Sequence, residues 1–590
     1  METLKDVLSI YDNPNKKKFS YHDVSLDLGH LPKTVRDEPN SQSEILAFSF
    51  QDNTGKEHWG TYYGPLTTWK RKDTGEEILS PDIKEIKEED IQYWTKRVSE
   101  TNNPMMRMRY AGLVFDFIKK VTNSKPDYHE IILPYATAIL DTVDGDYPKH
   151  PVEGYYFMSR AFEIAKMTKN INLFERAQKV LWDYDHRVAD DNSPGLWGRH
   201  FEIMLKYLDS YSTFKDKLVE ENEQRFCRLE SKAISVGAKT DETGHILFDQ
   251  TELLCDYYIK IGCTDKIKEH IERFAKVIRL SFNLRGGMWA QAMLQRIQNL
   301  YRKYNLNKEA NRLYVEIHDL GQKAINCMTE HKFSIPIENI QLEAYMEDFI
   351  KGTPHDVLMK FFAWNTPNMN IERQRQKEEA EQSPLMDIVR TTNYDGAGVP
   401  LTNVGVGKDA EHQKLMNGMY RRMLITAPFL QLEIKKMEEK KILTEEIAIQ
   451  LFEGSPLVSK ENIDIIKRGI AAYFQKDYIV ACHLLIPQFE ASIRRMVALC
   501  GGNILRANQE PDKGNEYISL DGLLNSNEAK AALGEDVNTY FKNLFTDQYG
   551  WNLRNLTSHG LMRSGGFNNT VANRIMHAFL LLSQLRINEE

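Results

Sequence analysis

Apolar residues return at intervals of three and four through almost all of residues 88–362, and this spacing restricts the chain to helical packing. Tyr110, Leu113/Val114, Phe117 and Val121 form one stripe, and Tyr156, Met158/Phe162 and Ile164/Ala165 another. Leu253/Leu254, Tyr257/Tyr258 and Ile261 form a third. Such a pattern gives each helix one apolar face that a neighbour must cover. Only short polar breaks separate the stripes, so consecutive helices are expected to pair. No fixed repeat length accompanies them, and residues 88–370 are therefore expected to form an irregular α-solenoid-like region. Its curved surface suits a peptide, protein or RNA partner, or a protein or ligand trigger, and a passive scaffold is equally compatible.

Four further stripes occupy residues 459–590. Ser459 is placed to cap a helix bearing Ile463, Ile466, Ile470 and Tyr473/Phe474. After Asp477, a longer stripe runs from Cys482 through Leu485/Ile486, Phe489, Ile493 and Met496/Val497 to Cys500, with Pro487 expected to kink it. Gly501-Gly502 is a natural stop. Leu533, Val537, Tyr540/Phe541 and Leu544 make the third stripe. Thr570 is placed to cap the last, which carries Val571, Ile575, Ala578/Phe579, Leu582 and Leu585. Four amphipathic helices predict an antiparallel bundle in a mainly α protein.

Between the third and fourth stripes stands Arg554-Asn555-Leu556-Thr557-Ser558-His559-Gly560. A histidine near its ordinary pKa exchanges protons at neutral pH, which makes His559 a candidate general base or acid. An always-charged guanidinium forks onto phosphate, and Arg554 fits that role. On a helix, Asn555 and His559 are four residues apart on one face, so the amide is placed to orient the ring or hold a substrate oxygen. Arg554 lies about 140° round from His559 at ~100° per residue, so only its long side chain, a distorted helix start or a second subunit would bring them together. In the second bundle helix, His483, Pro487, Glu490 and Arg494 share a face beside the apolar stripe. His483 reads as structural. Glu490 is open to two readings, a residue facing the Arg-His block or half of an i,i+4 ion pair with Arg494.

An R-N-x-x-x-H block in the second half of a four-helix domain of about 130 residues resembles the signature of the HEPN superfamily. The wider chain is also similar to bacterial proteins that join a large helical N-terminal region to an uncharacterised C-terminal domain with R-N-x-x-x-H-G. Many HEPN members are metal-independent endoribonucleases. The resemblance implies that the RNA 2′-hydroxyl attacks the adjacent phosphate, with catalytic roles for Arg554, Asn555 and His559 and supporting or substrate-binding roles for Glu490 and Arg494. It also implies a homodimer through the C-terminal bundle, RNA as substrate, and a defence or toxin-like role in a bacterium. The competing class is a non-catalytic helical scaffold or adaptor with a HEPN-like dimerisation or nucleotide-binding module.

Charge bears on this choice. The formal net charge of -8 argues against broad, sequence-independent nucleic-acid binding. Residues 460–590, with 14 Lys+Arg and 14 Asp+Glu, carry none of it. RNA contact there needs Arg494, Arg495, Arg554, Arg563 and Arg574 to gather in space.

Elsewhere, residues 1–87 are expected to form a small cap with some β-structure, because residues 45–50 and 58–63 alternate around an Asp52-Asn53-Thr54-Gly55 turn. The aromatic string from Trp59 to Pro65 is expected to cover a core edge. A charged run at residues 372–382 marks a break, so residues 371–458 are read as a linker, a β-hairpin across Asp395-Gly396-Ala397-Gly398 and connecting helices. Gly405-Val406-Gly407-Lys408 imitates a phosphate loop, but Thr402 occupies its first glycine position and Asp409 the required Ser/Thr. The six cysteines include no C-x-x-C pair, and neither a zinc site, a disulfide framework nor a cofactor is expected. No apolar run reaches the ~18 to 20 residues of a membrane span. No cationic start with an apolar core marks a secretory signal, and a cytoplasmic protein is expected.

Overall fold

Helices account for most of the computed structural model, which describes residues 2–52, 59–71, 74–191, 195–235, 241–329, 338–383, 391–405, 407–508 and 514–586. Among these residues the β-strands form three two-stranded antiparallel pairs, with isolated bridges joining Phe19 to Pro148 and Gln51 to Gly64. The chain divides into two compact units, Met1–Glu316 and Ile317–Glu590.

The first unit begins with four helices, Leu4–Tyr11, Tyr21–Gly29, Lys33–Arg36 and Pro39–Ala47, and the β-structure expected within residues 1–87 comes after them. Residues 45–47 end the last of these helices rather than forming a strand. Ser41, Glu44 and Ala47 are buried at three-residue spacing, and the Glu44 carboxylate accepts from Tyr93, Arg97 and Tyr110. Burial of a polar side chain thus fixes a helix where the apolar pattern alone reads as a strand. The predicted turn at Asn53-Thr54-Gly55 and His58 lie outside the described residues. A hairpin forms further on, pairing Thr67–Lys70 with Glu77–Ser80.

From Glu88 onward, helices pack as sequential neighbours: Glu88–Glu100 on Pro104–Thr122, Pro151–Met167 on Ile171–Val188, and Asp241–Lys260 on Thr264–Leu280. Trp94, Tyr110, Leu113, Phe117 and Phe162 are fully buried, each worth about 1.5–3 kcal/mol. Tyr156 and Ile261, placed on the inward stripes by spacing, are exposed. The aromatic string does cover a core edge: Trp59 packs 6.0 Å from Phe117, and Tyr62 and Tyr63 are buried.

In the second unit the charged run at 372–382 is a helix, Met369–Gln382, and not a break. Arg422 and Arg375 pair with the buried Glu372, while the Met369 amide donates to Asp536 at 2.8 Å. Ion pairs therefore dock a helix that has no apolar period. The expected hairpin forms, with Thr391–Tyr394 antiparallel to Pro400–Val404 and a bulge between Asn393 and Tyr394. Ile388-Val389-Arg390, which the sequence reads together with Thr391-Thr392 as the first strand, and Val406 lie outside the described residues.

The last four stripes all become helices. Ser459 caps a 3-10 turn, Lys460–Asn462, which leads into Ile463–Phe474. Asp477 caps Tyr478–Leu499, which continues through Pro487. The predicted polar loop contains a hairpin, Leu505–Ala507 with Asn515–Tyr517, and a short helix, Leu520–Asn525. Asn527–Phe545 is interrupted at Gly534, whose φ of +68° suits only glycine. Asn568, not Thr570, caps Asn569–Ser583, accepting from the Val571 amide at 3.1 Å. Phe489 stacks 4.1 Å from Phe545, with Phe541 and Phe579 closing around it. Arg574 is buried and donates to the carbonyls of Asn365 and Met423. Among the described residues, no helix is long and apolar enough to cross a membrane.

Candidate active site

Arg554 and Asn555 sit at the start of a six-residue helix, Leu553–Ser558. Trp551 and Leu553 are buried beneath it, and the Trp551 amide donates to the Asn543 carbonyl at 2.7 Å. Asn552 precedes the helix at φ +52°, a conformation Asn tolerates better than most side chains. Its carboxamide oxygen accepts from Asn555 Nδ2 at 2.7 Å. The helix is anchored at one end by apolar burial and at the other by a glycine.

That glycine is Gly560, at φ +67°. Its amide donates to the Thr557 carbonyl at 3.2 Å, and the Leu561 amide donates to Leu556 at 2.8 Å. These two bonds make a Schellman ending, which requires a left-handed residue at that position. His559 is thereby held at the helix C-cap, with its backbone amide 3.1 Å from the Asn555 carbonyl and its side chain exposed. Among the described residues its ring has no hydrogen-bond partner.

Glu490 reaches the block from the Tyr478–Leu499 helix, and both of its sequence readings hold at once. Arg554 Nε donates to Glu490 Oε2 at 2.9 Å, and Arg494 donates to Oε1 at 2.8 Å. Glu490 lies largely buried between two guanidinium groups, so the cluster keeps one formal positive charge. Arg554 Nη1 donates to Asn555 Oδ1 at 3.2 Å. The third nitrogen, Nη2, has no protein partner among the described residues and is left for an anion. Arg494 also donates to the Ile518 carbonyl at 3.1 Å and lies 5.2 Å from the Tyr517 ring. A cavity of about 340 Å³ opens beside Arg494 and Arg495.

Two expectations change. Asn555 orients Arg554, not the His559 ring, because Arg554 and Asn552 take up both ends of its amide. The five arginines do not gather either. Arg574 is in the core, Arg495 donates to the Pro456 carbonyl at 2.7 Å, and Arg563 packs against Gly396 of the hairpin turn. Only Arg494 and Arg554 meet. His483 is structural as read, bonded to the Ile479 carbonyl at 2.8 Å and lying 5.0 Å from Phe567. Asn552 and Tyr517 were not singled out by the sequence reading; an Asn two residues after Gly550, ahead of a short helix, is the one local signal for the first.

Among the described residues, no three His, Cys, Asp or Glu side chains are placed to hold a metal ion. No family model matches the chain, and no curated protein or solved structure matches it either.

Proposed function

We propose that this chain is a metal-independent endoribonuclease of HEPN type, its C-terminal helices forming a HEPN-like four-helix bundle and its N-terminal helices a solenoid-like regulatory region. The observation that carries the reading is the positive Arg494–Glu490–Arg554 cluster with one free Arg554 nitrogen, five residues from a rigidly presented, exposed His559. In the reaction, the RNA 2′-oxygen bonds to the adjacent phosphorus while the bond to the 5′-oxygen breaks. His559 takes the 2′-hydroxyl proton or supplies the one the leaving oxygen needs. Arg554 Nη2 neutralises charge on the phosphoryl oxygens, and Asn555 holds Arg554 in place. The products are a 2′,3′-cyclic phosphate and a 5′-hydroxyl.

His559 makes no bond to Arg554 within one chain, and a homodimer through the bundle supplies the arginine and histidine from opposite copies. A defence or toxin-like role follows from the same resemblance. The test is cleavage of several RNAs, tRNA included, in EDTA, comparing wild type with His559→Ala. Loss of cleavage in the variant, by about 100-fold or more, supports the assignment. Equal cleavage by both, or none by either, leaves the bundle as a scaffold or adaptor module.

A further inference from the structure

Far along the sequence from the Arg-His block, the first unit contains a cavity of about 530 Å³ between three helices, Pro104–Thr122, Pro151–Met167 and Arg199–Lys206. That size is typical of a small-molecule site. Each of its walls carries both signs, in opposite balance. On one wall Asp116 and Glu163 share a single cation, Arg160, at 2.8 and 3.1 Å, leaving one formal negative charge. On the other wall the Arg199–Lys206 helix contributes Arg199, Glu202 and Lys206 at successive turns, leaving one formal positive charge.

The two walls do not neutralise one another. Among the described residues, Arg199, Glu202 and Lys206 form no ion pair with any group, although the opposite wall carries charges of both signs. Packed helices ordinarily close such charges into salt bridges, and here open space intervenes. Arg160, by contrast, is fixed. Its guanidinium lies 5.2 Å from the Tyr62 ring and 5.1 Å from Phe115, and it cannot swing across. The exposed Tyr156, which its apolar spacing would have turned inward, lines the same space with the Arg199 guanidinium 5.6 Å from its ring.

We infer that this cavity binds a small zwitterion, a free amino acid or dipeptide. Its ammonium lies at the exposed Glu163, because the buried Asp116 already accepts from Arg160 at 2.8 Å and from the Tyr63 amide at 3.0 Å, and its carboxylate lies at Arg199 and Lys206. A nucleotide fits poorly, because its phosphates would face three carboxylates. A polyamine or a dicarboxylate satisfies only one wall.

The experiment is equilibrium dialysis of the full chain against a pool of amino acids and dipeptides with free termini. The same pool with N-acetylated ends, the same with C-terminal amides, and ATP are dialysed alongside, and retained species are read by mass spectrometry. Retention from the free pool is expected, weakened at least about tenfold by either block. Glu202→Gln should leave the melting temperature unchanged, as should Lys206→Met, since both side chains are exposed and unpaired. Lys206→Met should lower retention about tenfold, and Glu202→Gln, which makes its wall more positive, should not abolish it. No retention, equal retention of the blocked pools, preference for ATP, or retention unchanged by Lys206→Met would overturn the inference. None of these readouts depends on RNA cleavage.

Discussion

Glu490 separates two arginines that would otherwise face each other, and so it does more than balance charge. Replacing it with alanine leaves the Arg494 and Arg554 guanidiniums half-buried and unopposed. Glu490→Ala is expected to cost about 1–3 kcal/mol in denaturant unfolding and, on the proposed function, to reduce RNA cleavage, because Arg554 loses the bond that aims it. Glu490→Gln, which keeps an acceptor for Arg554, should retain more of both. The R-N-x-x-x-H block was legible because its members are neighbours in the chain. Glu490 and Arg494 were legible because four residues bring them to one helical face. That Glu490 also binds Arg554, 64 positions away, was readable only as one of two alternatives, and the Tyr517 ring beside Arg494 not at all. Periodicity carries no information on which helix faces meet.

Helices with a plain apolar stripe were legible as elements, and those positioned by buried polar groups were not. Met369–Gln382, held through Glu372, and Pro39–Ala47, held through Glu44, were both misread for this reason. Asn569–Ser583 belongs to both classes, since its stripe is regular while Arg574 and His577 face inward. His577 contacts the Tyr540 hydroxyl at 2.9 Å and the Phe361 carbonyl at 3.3 Å, and burial pushes its pKa down to about 3. The unfolded chain, with an ordinary histidine pKa near 6.5, binds the proton more readily. Stability from this residue is therefore complete above about pH 6.5 and is lost as the pH falls towards 3. Between pH 6.5 and 4 the loss is on the order of 3 kcal/mol, and His577→Gln should flatten that slope in urea titrations.

At the scale of the whole molecule, each of the two units has a buried core of its own. Differential scanning calorimetry is expected to resolve two unfolding transitions, with His577→Gln moving only one of them, whereas a single cooperative peak shifted as a whole would contradict this. The boundary at residues 316 and 317 was not legible, because it falls inside the helix Asn307–Asp319, where composition does not change.

Arg574 donates to the Asn365 carbonyl across 209 positions of sequence, and His577 reaches Phe361 across 216. During synthesis, at about 5–20 residues per second, the Pro354–Asn365 helix therefore leaves the ribosome about 10–40 s before the side chains that bury its carbonyls exist. Phe361 and Phe362, which pack on His577, lack that cover for the interval, and nascent chains of this protein are expected to need shielding by a chaperone at that stage.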